Sequence, residues 1–321
     1  MPDRPSESPS IAVAIPCYQE APTTGKVIAD FRRELPEARI YVYDNNCTDD
    51  TAAIAVDAGA VVRREKRQGK GFVVAAMFEQ LEEDIVVMVD GDDTYEAAHV
   101  RKLLKPVLAG DADMTVASRL TSHGEGSFRP MHLAGNRMVC GIINRVFGSD
   151  LSDVFSGYRA FTKDSYQQIP ITTRGFDVET EMTLQALYRG QVVREVPAPY
   201  GARPEGSFSK LNTYSDGFKV VLRLFLILKS YKPLTLFGGI SLILAILSLA
   251  AGYMPAHDYL THPNHFVAHV PSAVLAAALM ILAVISLSVG LILNSINLRL
   301  LELERLTVSR RGKRTRGGPV G

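Results

Sequence analysis

Ile85-Val86-Val87-Met88-Val89 runs directly into Asp90-Gly91-Asp92-Asp93-Thr94. An apolar, mostly β-branched run bounded by glycine and charges predicts a buried strand. A buried strand that ends in three carboxylates carries a cost, because packed like charges repel and desolvation disfavours the ionised form. A hard divalent cation relieves it: Mg2+ or Mn2+ is held by one or two carboxylates while keeping waters and phosphate oxygens. The stretch reads either as a metal–diphosphate site at the C-terminal edge of a sheet or as a polar Asp-Gly turn. These residues alone leave both open.

Around it, short apolar runs alternate with helical patterns. Residues 11–15, ended by Pro16, predict a strand, and 23–35 a helix with Thr23 or Thr24 as N-cap. Strands follow at 39–43, 60–63 and 113–117, and helices at 51–58, 70–81 and 96–108. Strands alternating with helices imply βαβ units and a mostly parallel sheet. Such sheets bind ligands at the carboxyl ends of their strands. Tyr18, Glu20, Asp44, Asp90, Asp92 and Arg119 all fall just after predicted strands, so one cleft edge collects them. Beyond it, 131–147 has helical spacing and contains Arg137 and Arg145. Residues 155–161 and 192–196 read as strands, 177–189 as a helix, and 203–210 as a loop rich in Gly, Ser and Pro.

The balance of 35 Lys+Arg against 34 Asp+Glu in 321 residues leaves no global field to attract nucleic acid. The three cysteines, Cys17, Cys47 and Cys140, are widely spaced and form no metal-ligand or disulfide pattern, as expected of reduced thiols. Residues 1–10, rich in Pro and Ser without an apolar stretch, read as a disordered lead rather than a signal peptide.

The C-terminal third differs. Phe218, Val221, Leu222, Phe225 and Leu228 are mostly three or four residues apart, with Lys219 and Arg223 on another face, so 211–232 reads as an amphipathic juxtamembrane helix. Residues 234–253 and 271–296 contain no charge, and each reaches the roughly 20 residues that span a bilayer core. Two transmembrane helices are therefore expected within 233–298. The connection at 254–270 has no Lys or Arg, whereas both flanks are basic, including the tail at 299–321. The positive-inside rule then predicts a multi-pass protein of the inner (cytoplasmic) membrane, with the soluble domain and both termini cytoplasmic. The basic tail also suits contact with anionic lipid. His257, His262, His265 and His269 in the connection read as solvated loop histidines rather than a metal site. Gly238, Gly239, Ser241, Ala245 and Gly252 are small enough for helix association, as in a homo-oligomer, but equally fit lipid-facing positions.

Taken in order, Ile15-Pro16-Cys17-Tyr18-Gln19-Glu20, Val42-Tyr43-Asp44-Asn45-Asn46-Cys47-Thr48-Asp49-Asp50-Thr51, Gln68-Gly69-Lys70-Gly71 and Asp90-Gly91-Asp92 resemble the inverting family 2 glycosyltransferases of the glycosyltransferase A fold. Ala117-Ser118-Arg119, Asp153-Val154-Phe155-Ser156-Gly157-Tyr158-Arg159 and Arg203-Pro204-Glu205-Gly206-Ser207-Phe208-Ser209-Lys210 resemble the branch that loads polyprenyl phosphates, which includes dolichol-phosphate mannose synthase and the bactoprenol glucosyltransferases. The resemblance covers about 11–210, the expected catalytic domain.

The resemblance implies roles. Asp44 would accept hydrogen bonds from the donor's base, with Pro16, Tyr18 and Glu20 completing the nucleoside pocket. Asp92 would ligate Mg2+ or Mn2+ directly, with Asp90 nearer the ribose or the metal's waters. Lys70, behind a glycine at a helix start, would favour phosphate; a plain surface lysine is the alternative. Arg119 and Arg137 would hold the acceptor's phosphate, and Arg203, Ser209 and Lys210 a loop over the donor diphosphate. Arg159 divides between a structural ion pair and a phosphate contact. Asp177, Glu179 and Glu181 read as structural or loop-positioning, since a phosphate acceptor is already an anionic nucleophile. The branch often has Gln two residues after the second Asp and holds the metal with it; here Thr94 stands there, with Asp93 beside it, leaving the third ligand between them. Asn45 replaces the second Asp of the usual pair, so Asp44 carries the base contact alone.

The expected reaction is transfer of a sugar from a UDP- or GDP-linked donor to a membrane polyprenyl phosphate. The rivals are transfer to a glycan hydroxyl, with Asp177 or Glu179 as base, and a non-catalytic nucleotide-sugar binding protein.

Overall fold

In the computed structural model, β1 (Ile11–Cys17) lies inside a seven-stranded sheet of order β3 (Val61–Arg64), β2 (Arg39–Asp44), β1, β4 (Ile85–Met88), β6 (Arg159–Thr162), β5 (Met114–Ser118), β7 (Val193–Pro197). The structure describes residues 8–119, 130–175, 178–201, 225–226, 228–262, 264 and 266–316. They divide into two compact units that part between Tyr214 and Ser215.

In the first unit, β2 (Arg39–Asp44) and β3 (Val61–Arg64) extend the sheet in parallel on one side of β1, and β4 (Ile85–Met88) pairs with it on the other. Residues 12–15 and 85–88 are buried on both faces, which explains why they read as continuous rather than alternating apolar runs. Val13, Ile15, Val42 and Val87 pack on one face with Ile28 and Phe31 of α1 (Ala21–Glu34) and with Val100 and Leu104 of α4 (Val100–Leu108). Ala14, Tyr43, Val86 and Met88 pack on the other with Met77 and Phe78 of α3 (Lys70–Gln80). Helix α2 (Thr51–Asp57) links β2 to β3.

Several boundaries differ from the sequence expectation. Pro16 does not end β1. The Ala14 carbonyl accepts the Val89 N–H (3.2 Å) and the Cys17 carbonyl accepts the Asn45 N–H (3.0 Å). Pro16 is in phase with Ala14, and its nitrogen points to the side where β4 pairing has already stopped, so no ladder bond is lost. Thr23 and Thr24 are not N-caps: α1 begins at Ala21, and both hydroxyls return to the Glu20 carbonyl. The helix expected over 96–108 is a 3-10 turn (Ala97–His99) followed by α4.

The larger difference is β6 (Arg159–Thr162), which runs antiparallel between β4 and β5 (Met114–Ser118). It is shorter than the run expected from 155, because 153–157 turn across the strand ends. After β6 come α6 (Lys163–Gln168), α7 (Val178–Tyr188) and β7 (Val193–Pro197), which pairs in parallel with β5. Helix α5 (Pro130–Phe147) precedes β6. The carboxyl ends of β1, β2, β4, β5 and β7 and the amino end of β6 therefore share one edge.

In the second unit, α8 (Pro233–Thr261) and α9 (Val270–Arg316) pair with one another. Each is long and apolar enough to cross a membrane, and their apolar windows are mostly exposed, unlike a soluble core helix. Much of the connection expected at 254–270 is helical, as α8 continues to Thr261. Serine hydroxyls join the pair: Ser241 donates to the Ala283 carbonyl, Ser248 to that of Ala276 and Ser286 to that of Phe237, at 2.7–2.9 Å. Ser241 and Gly252 face α9, whereas a side chain at Gly238 or Gly239 would meet nothing within 4 Å. At the far end, Asp258 accepts from the Ala268 N–H and pairs with His269 at 2.7 Å. Residues 225–226 and 228–231 are helical, and Phe225 and Leu226 are exposed. The rest of the expected juxtamembrane helix lies outside the described residues, as do His265, Asp177, Arg203, Ser209 and Lys210.

Candidate active site

Among the described residues, three non-glycine residues take left-handed backbone conformations, and all lie at the shared strand edge: Gln19 after β1 (φ 56°), Asn46 after β2 (φ 61°) and Asp93 after β4 (φ 57°). Strain concentrated at one edge marks a functional surface.

The turn after β2 is built around two side chains. Asp44, buried at 6% exposure, accepts the Cys47 N–H on Oδ1 (2.7 Å), and the Arg64 guanidinium lies 3.7 Å from Oδ2. Asn45 donates to the Glu65 and Arg67 carbonyls (3.1 and 2.7 Å) and accepts the Gly69 N–H (2.8 Å). A carboxylate has no protons for the two carbonyls, so the departure from Asp to Asn has a structural reason. Gln19 ties the β1 turn to Thr48 and Asp49. Glu20 is buried and its N–H is held by the Thr51 hydroxyl, whereas Tyr18 is exposed. Burial and the contact with Asp44 push the Cys47 thiol up to about 11, so it stays protonated at neutral pH.

The acidic turn is held from several directions. The Thr23 hydroxyl donates to the Gly91 carbonyl (2.6 Å), and a Cβ at 91 would lie 2.7 Å from Cys17 Sγ, which explains the glycine. Asp92 is buried, and its Oδ1 accepts the Thr94 hydroxyl (2.6 Å) and N–H (3.3 Å). Thr94 thus orients Asp92, while Asp93 turns to Lys26 (2.7 Å). Asp90 Oδ1 pairs with Lys70 at 2.5 Å, and Lys70 pairs with Glu179 at 2.5 Å. Burial disfavours the Lys70 ammonium, but the Asp90 and Glu179 carboxylates outweigh it and raise its pKa above the ordinary value. Lys70 is therefore not a surface lysine. The glycines beside it are not open to a ligand either: a Cβ at Gly69 would collide with the Arg174 carbonyl and one at Gly71 with that of Thr173. Among the described residues no three His, Cys, Asp or Glu side chains converge as a metal cage. One or two carboxylates in a hard-oxygen setting instead fit a Mg2+ or Mn2+ that arrives with a diphosphate.

Across the edge, Arg119 grips the fully buried Asp153 through Nε (2.7 Å) and Nη2 (2.9 Å), and its guanidinium lies 5.3 Å from the Tyr200 ring centroid. Burial opposes the Arg119 charge, but its neighbours, Tyr95 and Asp153 among them, outweigh it and raise its pKa. Glu195 accepts the Ser152 and Asp153 N–H groups (both 2.7 Å), and Asn136 of α5 donates to the Ser152 carbonyl (2.8 Å). Arg137, next on α5, is exposed. Arg159 is fully buried and donates to the Ser156 and Val154 carbonyls and the Thr183 hydroxyl, all at 2.8 Å. Burial pulls its pKa down to about 10. It organises the 153–157 turn through neutral acceptors, in place of the ion pair or phosphate contact expected of it.

Tyr95 and Tyr200 escaped the sequence analysis. Tyr95 packs at a tilt against Tyr158 and edge-to-face against Tyr200, with centroids 5.3 and 5.2 Å apart, and Gly201 donates to the Thr94 carbonyl (2.9 Å). They join the acidic turn to the Arg119 region. Only the position of Tyr95 beside the acidic turn pointed to it.

A mostly parallel α/β sheet whose acidic turns meet at the carboxyl edge, followed by two long apolar helices, defines a glycosyltransferase A domain with a C-terminal apolar hairpin. Residues 12–169 match the description "Glycosyl transferase family 2". The chain is 35% identical over 255 residues to the glycosyltransferase AglJ of Haloferax volcanii, covering 78% of this chain and 82% of that one. It is 26% identical to the undecaprenyl-phosphate mannosyltransferase of Micrococcus luteus, over 66% of this chain and 91% of that one. The fold also matches glucosyl-3-phosphoglycerate synthase of Mycobacterium tuberculosis, solved with Mn2+ and UDP-glucose, at TM-score 0.56 and 20% identity over 70% of this chain and 79% of that one. The chain belongs to glycosyl transferase family 2 and is a glycosyltransferase.

Proposed function

We propose that the enzyme transfers a sugar, with inversion, from a UDP- or GDP-linked donor to the phosphate of a membrane polyprenol, releasing nucleoside diphosphate. The observation that carries this reading is the state of the two described carboxylates of α7, Glu179 and Glu181, Asp177 lying outside the described residues. Glu179 is bound to Lys70, and Glu181 accepts the N–H and hydroxyl groups of both Thr172 and Thr173. Neither stands ready to deprotonate a hydroxyl, and a phosphate acceptor needs no base. The similarity to the undecaprenyl-phosphate mannosyltransferase of Micrococcus luteus and the apolar hairpin support the same acceptor.

In this reading Asp44, with Pro16, Tyr18 and Glu20, receives the nucleoside. Asp92, oriented by Thr94, holds Mg2+ or Mn2+, and Asp90 lies toward the ribose or the metal's waters. The bound metal neutralises charge on the departing diphosphate. Asp153 fixes Arg119 in one rotamer, so its guanidinium meets the acceptor phosphate already oriented, with Arg137 supplying a second charge. Arg203, Ser209 and Lys210 cover the donor. The hairpin spans the cytoplasmic membrane with the catalytic domain and both termini cytoplasmic, which delivers the lipid phosphate at high effective concentration.

The test is a panel of UDP- and GDP-sugars with polyprenyl phosphate, read by mass spectrometry of the lipid. A polyprenyl-phospho-sugar is expected with one donor. Transfer only to a hydroxyl-bearing glycolipid, or no lipid product with any donor, overturns the proposal.

A further inference from the structure

Arg119 at the end of β5 and the α5 turn that bears Arg137 are both tied to one dipeptide, Ser152-Asp153, in the turn before β6. Asp153 accepts the Arg119 guanidinium through Nε and Nη2 and the Arg119 N–H (3.2 Å) as well, so it fixes that residue by side chain and main chain together. Asn136, the neighbour of Arg137, donates to the Ser152 carbonyl at 2.8 Å. A third element holds the dipeptide itself. Glu195 of β7 is in register with Val116, which places it on the sheet face that Ser118 also occupies. Its Oε1 accepts the N–H groups of both Ser152 and Asp153, and its Oε2 accepts the Ser152 hydroxyl, all at 2.7 Å. A carboxylate has no proton to give, so Ser152 is the donor. Ser118 Oγ, 2.9 Å from Ser152 Oγ, then donates to it. Two successive backbone N–H groups aimed at one point make an anion-binding concavity, and the protein's own carboxylate fills it.

We infer that Glu195 is a positioning residue for the acceptor phosphate: by holding Ser152-Asp153 it sets where Arg119 stands and how the α5 turn bearing Arg137 lies relative to it. A guanidinium recognises phosphate by direction as well as by charge, so a shift of this dipeptide weakens the phosphate contact. The turn after β2, proposed to receive the nucleoside, is built on Asp44 and Asn45 instead and stays in place. The inference rests on the reading of Arg119 and Arg137 as acceptor-phosphate ligands.

The test uses the full-length, detergent-solubilised protein and two readouts: calorimetric binding of geranyl phosphate, which needs no turnover, and KM for polyprenyl phosphate. Glu195→Ala is expected to weaken geranyl phosphate binding and raise the lipid KM by about tenfold, with UDP binding within about twofold of the parent. Glu195→Gln keeps one oxygen for the two N–H groups, and its amide can donate to Ser152 Oγ; it should recover most of the loss. Glu195→Asp, one methylene shorter, should show the same split in smaller degree and serves if the Ala variant does not fold. In an Arg119→Lys background, Glu195→Ala should cost less than about threefold, because both changes act on one contact. Equal weakening of geranyl phosphate and UDP, full additivity with Arg119→Lys, or unchanged geranyl phosphate binding would each overturn the inference. Geranyl phosphate binding that follows the expected pattern while no donor yields a polyprenyl-phospho-sugar would strike the proposed reaction and leave the inference standing.

Discussion

The phenol oxygen of Tyr95 accepts the backbone N–H of Gly157 at 3.0 Å and is hydrogen-bonded to Ser156 Oγ at 3.2 Å. Through this single buried oxygen the acidic turn after β4 is joined to the turn before β6, and so to Arg159 and Asp153. Tyr95→Phe keeps the ring contacts but leaves the Gly157 N–H without its acceptor. A loss of about 1–3 kcal/mol is expected, read by denaturant unfolding of the detergent-solubilised protein. Unchanged stability would mean the turn finds another acceptor.

Asp92→Asn should abolish turnover while preserving the fold. The amide can still accept from Thr94 through its oxygen but no longer offers a charged metal ligand. Unfolding curves matching the parent, together with loss of Mn2+-dependent UDP binding, are the expected pair of results; near-normal rates would remove Asp92 from the metal site.

Restoring the more usual acid with Asn45→Asp should harm this protein. The carboxylate would face the Glu65 and Arg67 carbonyls with no proton to donate. About 1–3 kcal/mol of destabilisation and weaker nucleotide binding are expected, by unfolding and calorimetry. A stabilised variant would contradict the role given to the amide.

Arg119→Lys tests whether fork geometry matters beyond charge. Lysine cannot span both Asp153 oxygens as Nε and Nη2 do. The expected result is a rise of tenfold or more in KM for the lipid phosphate, with donor binding nearly unchanged. Equal losses for both substrates would place Arg119 in general scaffolding.

Removing everything from Pro233 onward should reduce transfer to long-chain polyprenyl phosphate far more than it reduces UDP binding. If both fall together, the hairpin serves folding or anchoring alone.

Much of the fold is legible locally. The apolar runs of β1, β2 and β4, the helical spacing of α1 and α4 and the uncharged stretches of α8 and α9 are statements about near neighbours in the chain, and periodicity carries them. The order of acidic and basic motifs likewise follows from where strands stop. The antiparallel β6 was less legible, because the 155–161 run mixes turn residues with strand residues.

By itself the sequence determined the alternating α/β class, the two apolar helices and the residues that follow each strand, because each depends on composition over a few turns. Tertiary structure alone decided what those residues touch. Lys70 reads as a phosphate ligand or a surface charge until the sheet order brings Glu179, 109 positions away, to its ammonium. Pro16 reads as a strand end until the side on which β4 stops pairing is known, and the glycine before Lys70 reads as part of a phosphate-favouring helix start until the Arg174 carbonyl passes beside it. Contacts across such separations are set by how strands pair and helices pack over them, and no local window of residues contains that information.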